Sequence, residues 1–400
     1  MSRLYRLKGK IQNYAWGGIQ FIPELLGEKA SDNKCAEYWL GAHVNAPSIV
    51  STSEGDQNLD AFLNSNLTEN LGQDIAKKFG RLPFLFKVLD VSDVLSIQVH
   101  PTKIEAVKGF AYENEIGIPL AAPHRNYKDD NHKPEIMVAL SEFWLLHGFL
   151  PKDTLTQVLK NTPEFVDLLP VFKKDGYFGL YKRVMEESIE ETNQTLQSLV
   201  DRILPLYQSG KLEKSSSDYW AAKSVATAAD SSILDKGIYS IYFFNVVKAN
   251  KGEAVFQDAG IPHAYLEGQN MELMANSDNV LRGGLTPKHV DVAELLKHVA
   301  FDETHPNIML GKLQEDGLER IYKSPAPDFE LSQISIAKGD QYQSISKTAQ
   351  ILIVIQGKVQ IHEGETILQL GKGETVFLTA NSDYKISSSS SAIIYKATAP

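Results

Sequence analysis

The sequence predicts a mainly β protein with a helical insertion, organised as two strand-rich barrels and one all-α segment. Residues 83–150 alternate short apolar runs with turn residues, which is typical of strands. Residues 151–235 are rich in Glu, Gln, Leu and Lys, and their apolar residues recur at helical spacing. Residues 351–378 contain short apolar runs joined by Gly-containing turns, as in antiparallel barrels and sandwiches.

In the first strand-rich block, β-branched and aromatic residues dominate four short runs. They predict strands over residues 84–89, 94–99, 136–140 and 143–149. In the helical block, the apolar residues step by three, four or seven and form one stripe: Ile189, Leu196, Leu199, Val200, Ile203, Leu204 and Tyr207. Pro205 predicts a kink or an end in that helix.

Strand character resumes at Ile238 and continues to His263, and a helix is predicted near residues 290–299. The polar segment 302–319 leads to the last strands, predicted over residues 351–354, 359–361, 366–370 and 376–378. The sequence therefore predicts three units. Residues 1–150 and 236–316 form a discontinuous first unit, 151–235 a helical insertion, and 317–400 a second strand-rich unit.

Composition excludes several classes of protein. The 400 residues are 43% hydrophobic and carry a net charge of −10, which argues against a nucleic acid partner. No apolar run has the roughly 18 residues of a membrane helix, and Met1–Lys10 lacks the apolar core of a signal peptide. Because Cys35 is the single cysteine, a metal would need nitrogen and oxygen ligands. We expect a cytoplasmic protein without membrane attachment.

Three segments carry possible metal ligands. Gln98 and His100 alternate with apolar residues and would project from the same face of a strand. Pro134 keeps the backbone extended, so Lys133 and Glu135 would share a face. His263 follows a Gly and a Pro at a strand entry. Taken singly, these segments are better explained as a polar strand face, a surface ion pair and an ordinary histidine. Taken together, they suit zinc or a similar divalent ion.

A fourth segment, residues 276–288, contains small polar residues, Gly and Pro, which predict a loop. Arg282 and Lys288 bracket a Gly-Gly pair that allows close approach of a ligand to the backbone. The spacing is not that of a nucleotide-binding P-loop, and a solvated turn is the alternative.

Two long strings give the chain a family resemblance. Residues 127–135 match Y-x-D-x-N-H-K-P-E, and residues 263–288 match H-A-Y-L-x-G…E-x-M-A-x-S-D-N-x-x-R-x-G-x-T-P-K. Shorter echoes lie at residues 14–18 and 37–43. The chain resembles type I mannose-6-phosphate isomerases (phosphomannose isomerases), which are zinc-dependent cupin enzymes. It departs from the family pattern at Gly283, where Ala is usual, and around residues 37–44.

The resemblance implies two cupin-type, jelly-roll barrels, one zinc ion per chain, and roles for particular residues. The implied metal ligands are Gln98, His100, Glu135 and His263. The implied catalytic residues are Arg282, Glu272, Lys133 and His132. The implied substrate-binding residues are Lys288, Lys87, Ser96 and Trp16.

The reaction implied is the interconversion of mannose 6-phosphate and fructose 6-phosphate through an enediolate. It needs a base that moves a proton between C1 and C2, and a divalent cation acting as Lewis acid can stabilise the enediolate by several kcal/mol. Glu272 and Lys133 are both candidates for the base, and His132 for assisting ring opening. Arg282 and Lys288 are expected to bind the phosphate, although Arg282 could instead stabilise the enediolate.

Two other functions are compatible with parts of the sequence. An iron-dependent dioxygenase would use His100, Glu135 and His263 but gives no reason for Gln98 or the cationic loop. A sugar-phosphate sensor would need the cationic loop but no intact metal set. The second barrel, whose only histidine is His362, is expected to be structural. We expect a sugar phosphate as substrate and a monomer or weak homodimer.

Overall fold

The structure is a computed structural model that describes residues 2–30, 32–228 and 233–400. Residues 229–232, at the end of the predicted helical insertion, lie outside the described residues. The strands, numbered in chain order, are β1 (Leu4–Lys8), β2 (Lys10–Gln12), β3 (Glu37–Leu40), β4 (Ile49–Thr52), β5 (Gly55–Asn58), β6 (Phe84–Val91), β7 (Gln98–Val99), β8 (Glu135–Ala139), β9 (Phe143–Phe149), β10 (Phe244–Ala249), β11 (Ala254–Gln257), β12 (His263–Ala275), β13 (Leu281–Arg282), β14 (Lys312–Leu313), β15 (Glu319–Tyr322), β16 (Glu330–Ile336), β17 (Gln341–Ser346), β18 (Gln350–Gln356), β19 (Val359–Glu363), β20 (Thr366–Leu370), β21 (Thr375–Leu378), β22 (Ser382–Ser387) and β23 (Ala392–Thr398).

Helices are concentrated between β9 and β10, as the sequence predicts. The α-helices of the described residues are α1 (Phe21–Leu25), α2 (Leu59–Ser65), α3 (Leu67–Leu71), α4 (Gln73–Phe79), α5 (Lys103–Glu115), α6 (Lys152–Asn161), α7 (Leu169–Met185), α8 (Ile189–Gln208), α9 (Ser217–Ala226), α10 (Gly237–Phe243) and α11 (Val292–His298). Of these, α6 to α10 lie between β9 and β10. A short 3₁₀ helix covers Pro163–Leu168. A capping box at Ser188 and Glu191 begins α8, so its first turn satisfies its own backbone donors.

Three sheets stack in layers. One has nine strands in the order β14-β15-β16-β23-β18-β21-β1-β4-β5, and a second has ten strands, with β10-β9-β12-β6-β3-β2 as its main path. The third has the order β17-β22-β19-β20. The nine-stranded sheet lies in the middle. Ile351 and Ile353 pack toward the ten-stranded sheet, while Leu352 and Val354 pack toward the four-stranded one. Burial on both faces explains the continuous apolar run of β18.

The helices pack on one face of the ten-stranded sheet. Leu196, Leu199 and Ile203 of α8 are buried in the same apolar cluster as Trp144 and Leu146 of β9. The opposite face of β9 and β12 carries a smaller apolar cluster, which includes Leu145 and Tyr265 and adjoins the polar site described below. No helix in the described parts of the chain is long and apolar enough to cross a membrane.

Three local predictions are wrong. Residues 94–97 are not in a strand, since β7 contains only Gln98 and Val99. Residues 238–243 form most of α10, in which every side chain is buried, and a short apolar run of this kind fits a buried helix as well as a strand. Of the two outcomes predicted at Pro205, a kink or an end, the end is wrong, because α8 continues to Gln208.

The strands nearest the two ends of the chain share one sheet. β1 pairs with β21, with Leu4 opposite Leu378, and also with β4. Nothing in the local sequence predicted this pairing, which crosses the boundaries of the predicted units.

Candidate metal centre

Neighbouring strands bring distant residues side by side. His263, the first residue of β12, lies directly opposite Gln98 of β7, and Gln98 lies directly opposite Arg282 of β13. Side chains at directly opposite positions of antiparallel strands project from the same face. Gln98 and His263, which are far apart in the sequence, therefore share one face of the sheet.

A β-bulge in β12 lets residues on either side of it, such as His263 and Glu272, project from that same face. The pairing with β9 shifts between Tyr265 and Glu267, and Gly268 has a φ of 123°. In a regular strand His263 and Glu272 would face opposite sides, because they are nine positions apart and side chains alternate between the two faces. The extra residue of the bulge reverses the alternation. The carboxylate of Glu272 then accepts a 2.9 Å hydrogen bond from the Tyr265 hydroxyl.

Two buried histidines aim one ring nitrogen each at a carboxylate. Nδ1 of His100 lies 2.8 Å from the backbone oxygen of Asn279, and Nδ1 of His263 lies 2.9 Å from that of Ile261. Each carbonyl can only accept, so each Nδ1 carries the hydrogen and each Nε2 presents a lone pair. Neither Nε2 has a hydrogen-bond partner among the described residues.

The carboxylate of Glu135 is the meeting point of the cluster. Its Oε1 lies 3.4 Å from Nε2 of His100 and 3.2 Å from Nζ of Lys133, and its Oε2 lies 3.3 Å from Nε2 of His263. Burial raises the pKa of Glu135, but Lys133 and His100 outweigh burial and hold that pKa well below its usual value. Burial lowers the pKa of His100 to about 4, so its ring is neutral near pH 7.

This arrangement fits a divalent cation. Ring and carboxylate lone pairs that face each other repel unless a cation lies between them. The three ligand atoms lie within 4.8 Å of one another. Two ligands about 2.05 Å from a tetrahedral zinc ion are separated by about 3.3 Å, which agrees with the distances from Glu135 to the two histidines. The Gln98 amide, on the same face as His263, offers an oxygen for a fourth position.

A second buried cluster adjoins the first. Nζ of Lys87 lies 2.9 Å from Oε2 of Glu272 and 3.3 Å from Oε2 of Glu37. Burial opposes the charge on Lys87, but Glu272 and Glu37 hold its pKa above the usual value. Burial raises the pKa of Glu272, and Lys87 offsets only part of that rise. The electrostatic interaction of Lys87 and Glu272 with Glu135 shows that the two clusters are neighbours.

The other predicted site residues are placed less directly. His132 is engaged with Asp328, at 2.8 Å. Ser96 and Trp16 are half-buried, Arg282 is half-buried, and Lys288 is exposed. Within the described ranges, no hydrogen bond or ion pair joins the side chains of these last four residues to the Glu135 and Lys87 clusters.

Sequence reasoning missed two members of the Lys87 cluster. Glu37 also accepts a hydrogen bond from the Trp39 indole, and Tyr265 donates to Glu272. Both residues lie within motifs that carry the family resemblance. The available signal for Tyr265 was Gly268, since a glycine inside a strand pattern often marks a bulge.

The buried His147, which lies next to the candidate centre, predicts that the folded protein loses stability in acid. Its side chain is buried opposite His263, and burial lowers its pKa to about 4 from 6.5. Between these values the unfolded chain binds the proton and the folded protein does not. The contribution of the neutral, buried His147 to the free energy of unfolding is therefore fully present above pH 6.5 and is lost as pH falls toward 4. We expect His147 to contribute a slope of up to about 1.4 kcal/mol per pH unit to the free energy of unfolding.

Urea titrations of zinc-free protein between pH 4 and pH 7.5 test this expectation. The His147→Gln variant keeps a side chain that can bond to Gln257, which lies 2.7 Å from Nδ1 of His147. Its pH slope should be shallower than that of the unsubstituted protein. Equal slopes would show that His147 does not resist protonation.

Comparisons with known proteins show which family the chain resembles. The family model for the type I phosphomannose isomerase catalytic domain matches residues 4–152. The mannose-6-phosphate isomerase of Escherichia coli is 37% identical over 385 residues, covering 94% of this chain and 95% of the relative. The mannose-6-phosphate isomerase of Homo sapiens is 32% identical, covering 95% and 94% respectively.

Solved structures show the same similarity. Mannose 6-phosphate isomerase from Salmonella typhimurium, bound to its substrate fructose 6-phosphate and zinc, has a TM-score of 0.87 and 32% identity over the whole of both chains. Another mannose 6-phosphate isomerase, bound with zinc and yttrium, gives the same values. The mostly β architecture with several helices is thus the architecture of these enzymes. With more than a third of its residues identical to those of a relative it covers almost completely, the chain belongs to the type I phosphomannose isomerase family.

Proposed function

We propose that this protein is a zinc-dependent isomerase that interconverts mannose 6-phosphate and fructose 6-phosphate. The observation that carries the proposal is the convergence of two unpartnered imidazole nitrogens on the Glu135 carboxylate. Membership of the family supports it, as do the zinc and the fructose 6-phosphate bound by the Salmonella relative. We propose Gln98, His100, Glu135 and His263 as the zinc ligands.

When bound, zinc supplies a Lewis acid that stabilises the negative charge developing on the sugar oxygens, and a set with a single carboxylate leaves the site net positive. The ligand side chains are held in advance. The two histidines are fixed by carbonyl oxygens, and Lys133 fixes one oxygen of Glu135. Such preorganisation avoids rearrangement during the reaction.

The reaction moves one proton between neighbouring carbons. From mannose 6-phosphate, a base removes the proton on C2, a second proton leaves the C2 hydroxyl, and C1 and the C1 oxygen each gain one. We propose Glu272 as the base, because a carboxylate needs no deprotonation to act near pH 7. Its raised pKa also makes it a stronger base than an exposed glutamate. Lys87 and Tyr265 orient its two oxygens.

Lys133 is the alternative base, since it lies beside Glu135 and within electrostatic range of Glu272. Its Nζ lies 3.2 Å from Oε1 of Glu135, which is one of the proposed zinc ligands. We assign His132 to ring opening, with Asp328 orienting its ring. We assign Trp16, Ser96 and Lys87 to the walls of the sugar site.

Arg282 and Lys288 are proposed to bind the phosphate group. Burial lowers the pKa of Arg282, and burial together with Arg282 lowers that of Lys288, so two cations lie close to each other. Neither side chain has an anionic partner within the described part of the chain. A phosphate dianion would supply the missing charge.

An iron-dependent dioxygenase remains the second candidate, because His100, Glu135 and His263 form a 2-His-1-carboxylate set. The paired free cations and the buried Lys87–Glu272 pair favour the isomerase, since they supply an anion site and a base that oxygen chemistry does not require.

The test is interconversion of the two hexose 6-phosphates before chelation, after chelation and after zinc is restored. We expect activity to fall by at least about a hundredfold on zinc removal and to return on readdition. Oxygen uptake measured with iron-loaded protein separates the dioxygenase. Full turnover by thoroughly demetallated protein would refute the proposal.

We also propose the finer architecture. Residues 1–150 and 236–316 form the catalytic cupin-type barrel, 151–235 the helical unit, and 317–400 a second, structural cupin-type barrel. The packing of the helices of residues 152–226 on one face of the ten-stranded sheet supports the helical unit. The nine-stranded sheet, by contrast, joins β1, β4 and β5 of the first unit to strands of residues 317–400. We place the protein in the cytoplasm as a monomer or weak homodimer, on the basis of its single cysteine and acidic composition.

A further inference from the structure

The bend that carries Arg282 and Lys288 has a strained backbone. Leu285 has a φ of 54°, one of two positive values for non-glycine residues in the described ranges, and Gly284 before it has a φ of 113°. A leucine in this region persists only where its surroundings fix the backbone. We call residues 282–288 the cationic bend.

Asp235 is the side chain that holds this backbone. Its Oδ1 accepts hydrogen bonds from the backbone N–H groups of Leu285 and Gly237, both at 2.7 Å. Its Oδ2 accepts a 3.0 Å hydrogen bond from the backbone N–H of Thr286. One carboxylate thus binds two consecutive amides of the cationic bend and the first residue of α10.

The packing around these bonds leaves the bend little freedom. A Cβ added to Gly284 would lie 2.6 Å from the Cα of Gly237, and one added to Gly283 would lie 2.8 Å from the Tyr181 hydroxyl of α7. The pairing of β13 with β7, together with backbone hydrogen bonds that join Ile97 to Gly283 and Gly284, fixes the bend as far as Gly284. The segment from Leu285 onward, which leads to Lys288, depends on Asp235 for its position.

We propose that Asp235 is a positioning residue for phosphate binding, which sets the place of Arg282 and Lys288 by fixing the cationic bend between them. This inference rests on the proposed function, because it takes the phosphate of the sugar as the anion that the bend binds. Asp235 lies just before α10, where the chain returns from the helical region to the sheet. The helical region therefore helps to place the anion site, a role that its own sequence does not reveal.

The test uses the full-length, zinc-loaded protein. For Asp235→Ala we expect the KM for mannose 6-phosphate and the inhibition constant of inorganic phosphate to rise together by at least about tenfold. We expect kcat to change by less than about threefold, since the reacting carbons are not touched. Asp235→Asn, which keeps one accepting oxygen, should give a smaller rise in both constants.

The matched control is Asp316→Ala. Asp316 also accepts two backbone N–H bonds, from Leu318 and Glu319, but in the turn between β14 and β15 of the nine-stranded sheet. Its substitution should leave KM and phosphate inhibition unchanged. Calorimetric titration of the zinc-loaded protein with inorganic phosphate supplies a readout other than turnover, and the Asp235→Ala variant should again bind about tenfold more weakly.

The results separate this inference from the proposed function. If the unsubstituted protein does not interconvert the hexose phosphates, the proposed function fails, and calorimetry alone decides the role of Asp235. If Arg282→Ala weakens phosphate binding and Asp235→Ala does not, the inference is wrong. A loss confined to kcat also overturns it. If Asp235→Ala does not fold, the Asp235→Asn variant decides by the same criteria.

Discussion

Replacing His100 by alanine should abolish zinc binding and lower kcat/KM by about three orders of magnitude or more. The Nε2 of His100 is buried and lies 3.4 Å from Oε1 of Glu135, and among the described residues His100, Glu135 and His263 form the one group of histidine, cysteine and carboxylate side chains that could hold a metal ion. Without the ion, several kcal/mol of transition-state stabilisation are lost, and each 1.4 kcal/mol corresponds to a factor of about ten.

Zinc content per chain and a coupled isomerase assay measure the two effects. The control is His305→Ala, which makes the same change at a histidine whose side chain is 75% exposed. Thermal denaturation of both variants separates loss of the metal from loss of the fold. A His100→Ala protein that retained activity without zinc would contradict the assignment of the site.

Replacing Glu272 by glutamine should leave zinc content intact and lower kcat by about two orders of magnitude. The amide can still accept a hydrogen bond from Lys87 or Tyr265, but it cannot accept the proton from C2. Lys133→Met is the competing variant. If it lowers kcat by more than Glu272→Gln does while zinc remains bound, Lys133 is the base.

The chain contains a close control for this substitution. Glu319 is also a buried glutamate that pairs with a lysine, Lys396, and accepts a hydrogen bond from a tyrosine, Tyr342, but it lies in the nine-stranded sheet. Glu319→Gln should destabilise the protein to a similar degree and leave kcat unchanged. Equal kinetic losses in both variants would point to a general effect of disturbing a buried ion pair.

Periodicity predicted most of the secondary structure because the core is regular there. The bounds predicted for 143–149 agree with β9. In the stripe predicted for α8, Leu196, Leu199, Val200 and Ile203 are buried, Leu204 and Tyr207 are partly buried, and Ile189 is exposed. Periodicity failed at residues 238–243, because a run that is apolar on all sides carries no period.

For the site, alternation alone placed Gln98 and His100 together but gave no reason to join them to Glu135 or His263. Family motifs supplied that connection. Neither approach predicted that Tyr265 and Glu272 would meet, because the bulge between them reverses which side of the strand each residue faces. Asp235 was also missed, since its role depends on backbone N–H groups that have no sequence signature.

The pairing of β1 with β21 has a consequence for biosynthesis. A ribosome that adds about 5–20 residues per second needs roughly 20–70 s to progress from Leu4 to Leu378. During that interval β1 is outside the ribosome, but the backbone groups on its β21-facing edge have no hydrogen-bond partners. Its leucines also lack the side chains against which they pack in the folded protein. The emerging polypeptide cannot complete its central layer until translation is nearly over, so this edge of β1 stays open to pairing with other strands for most of synthesis.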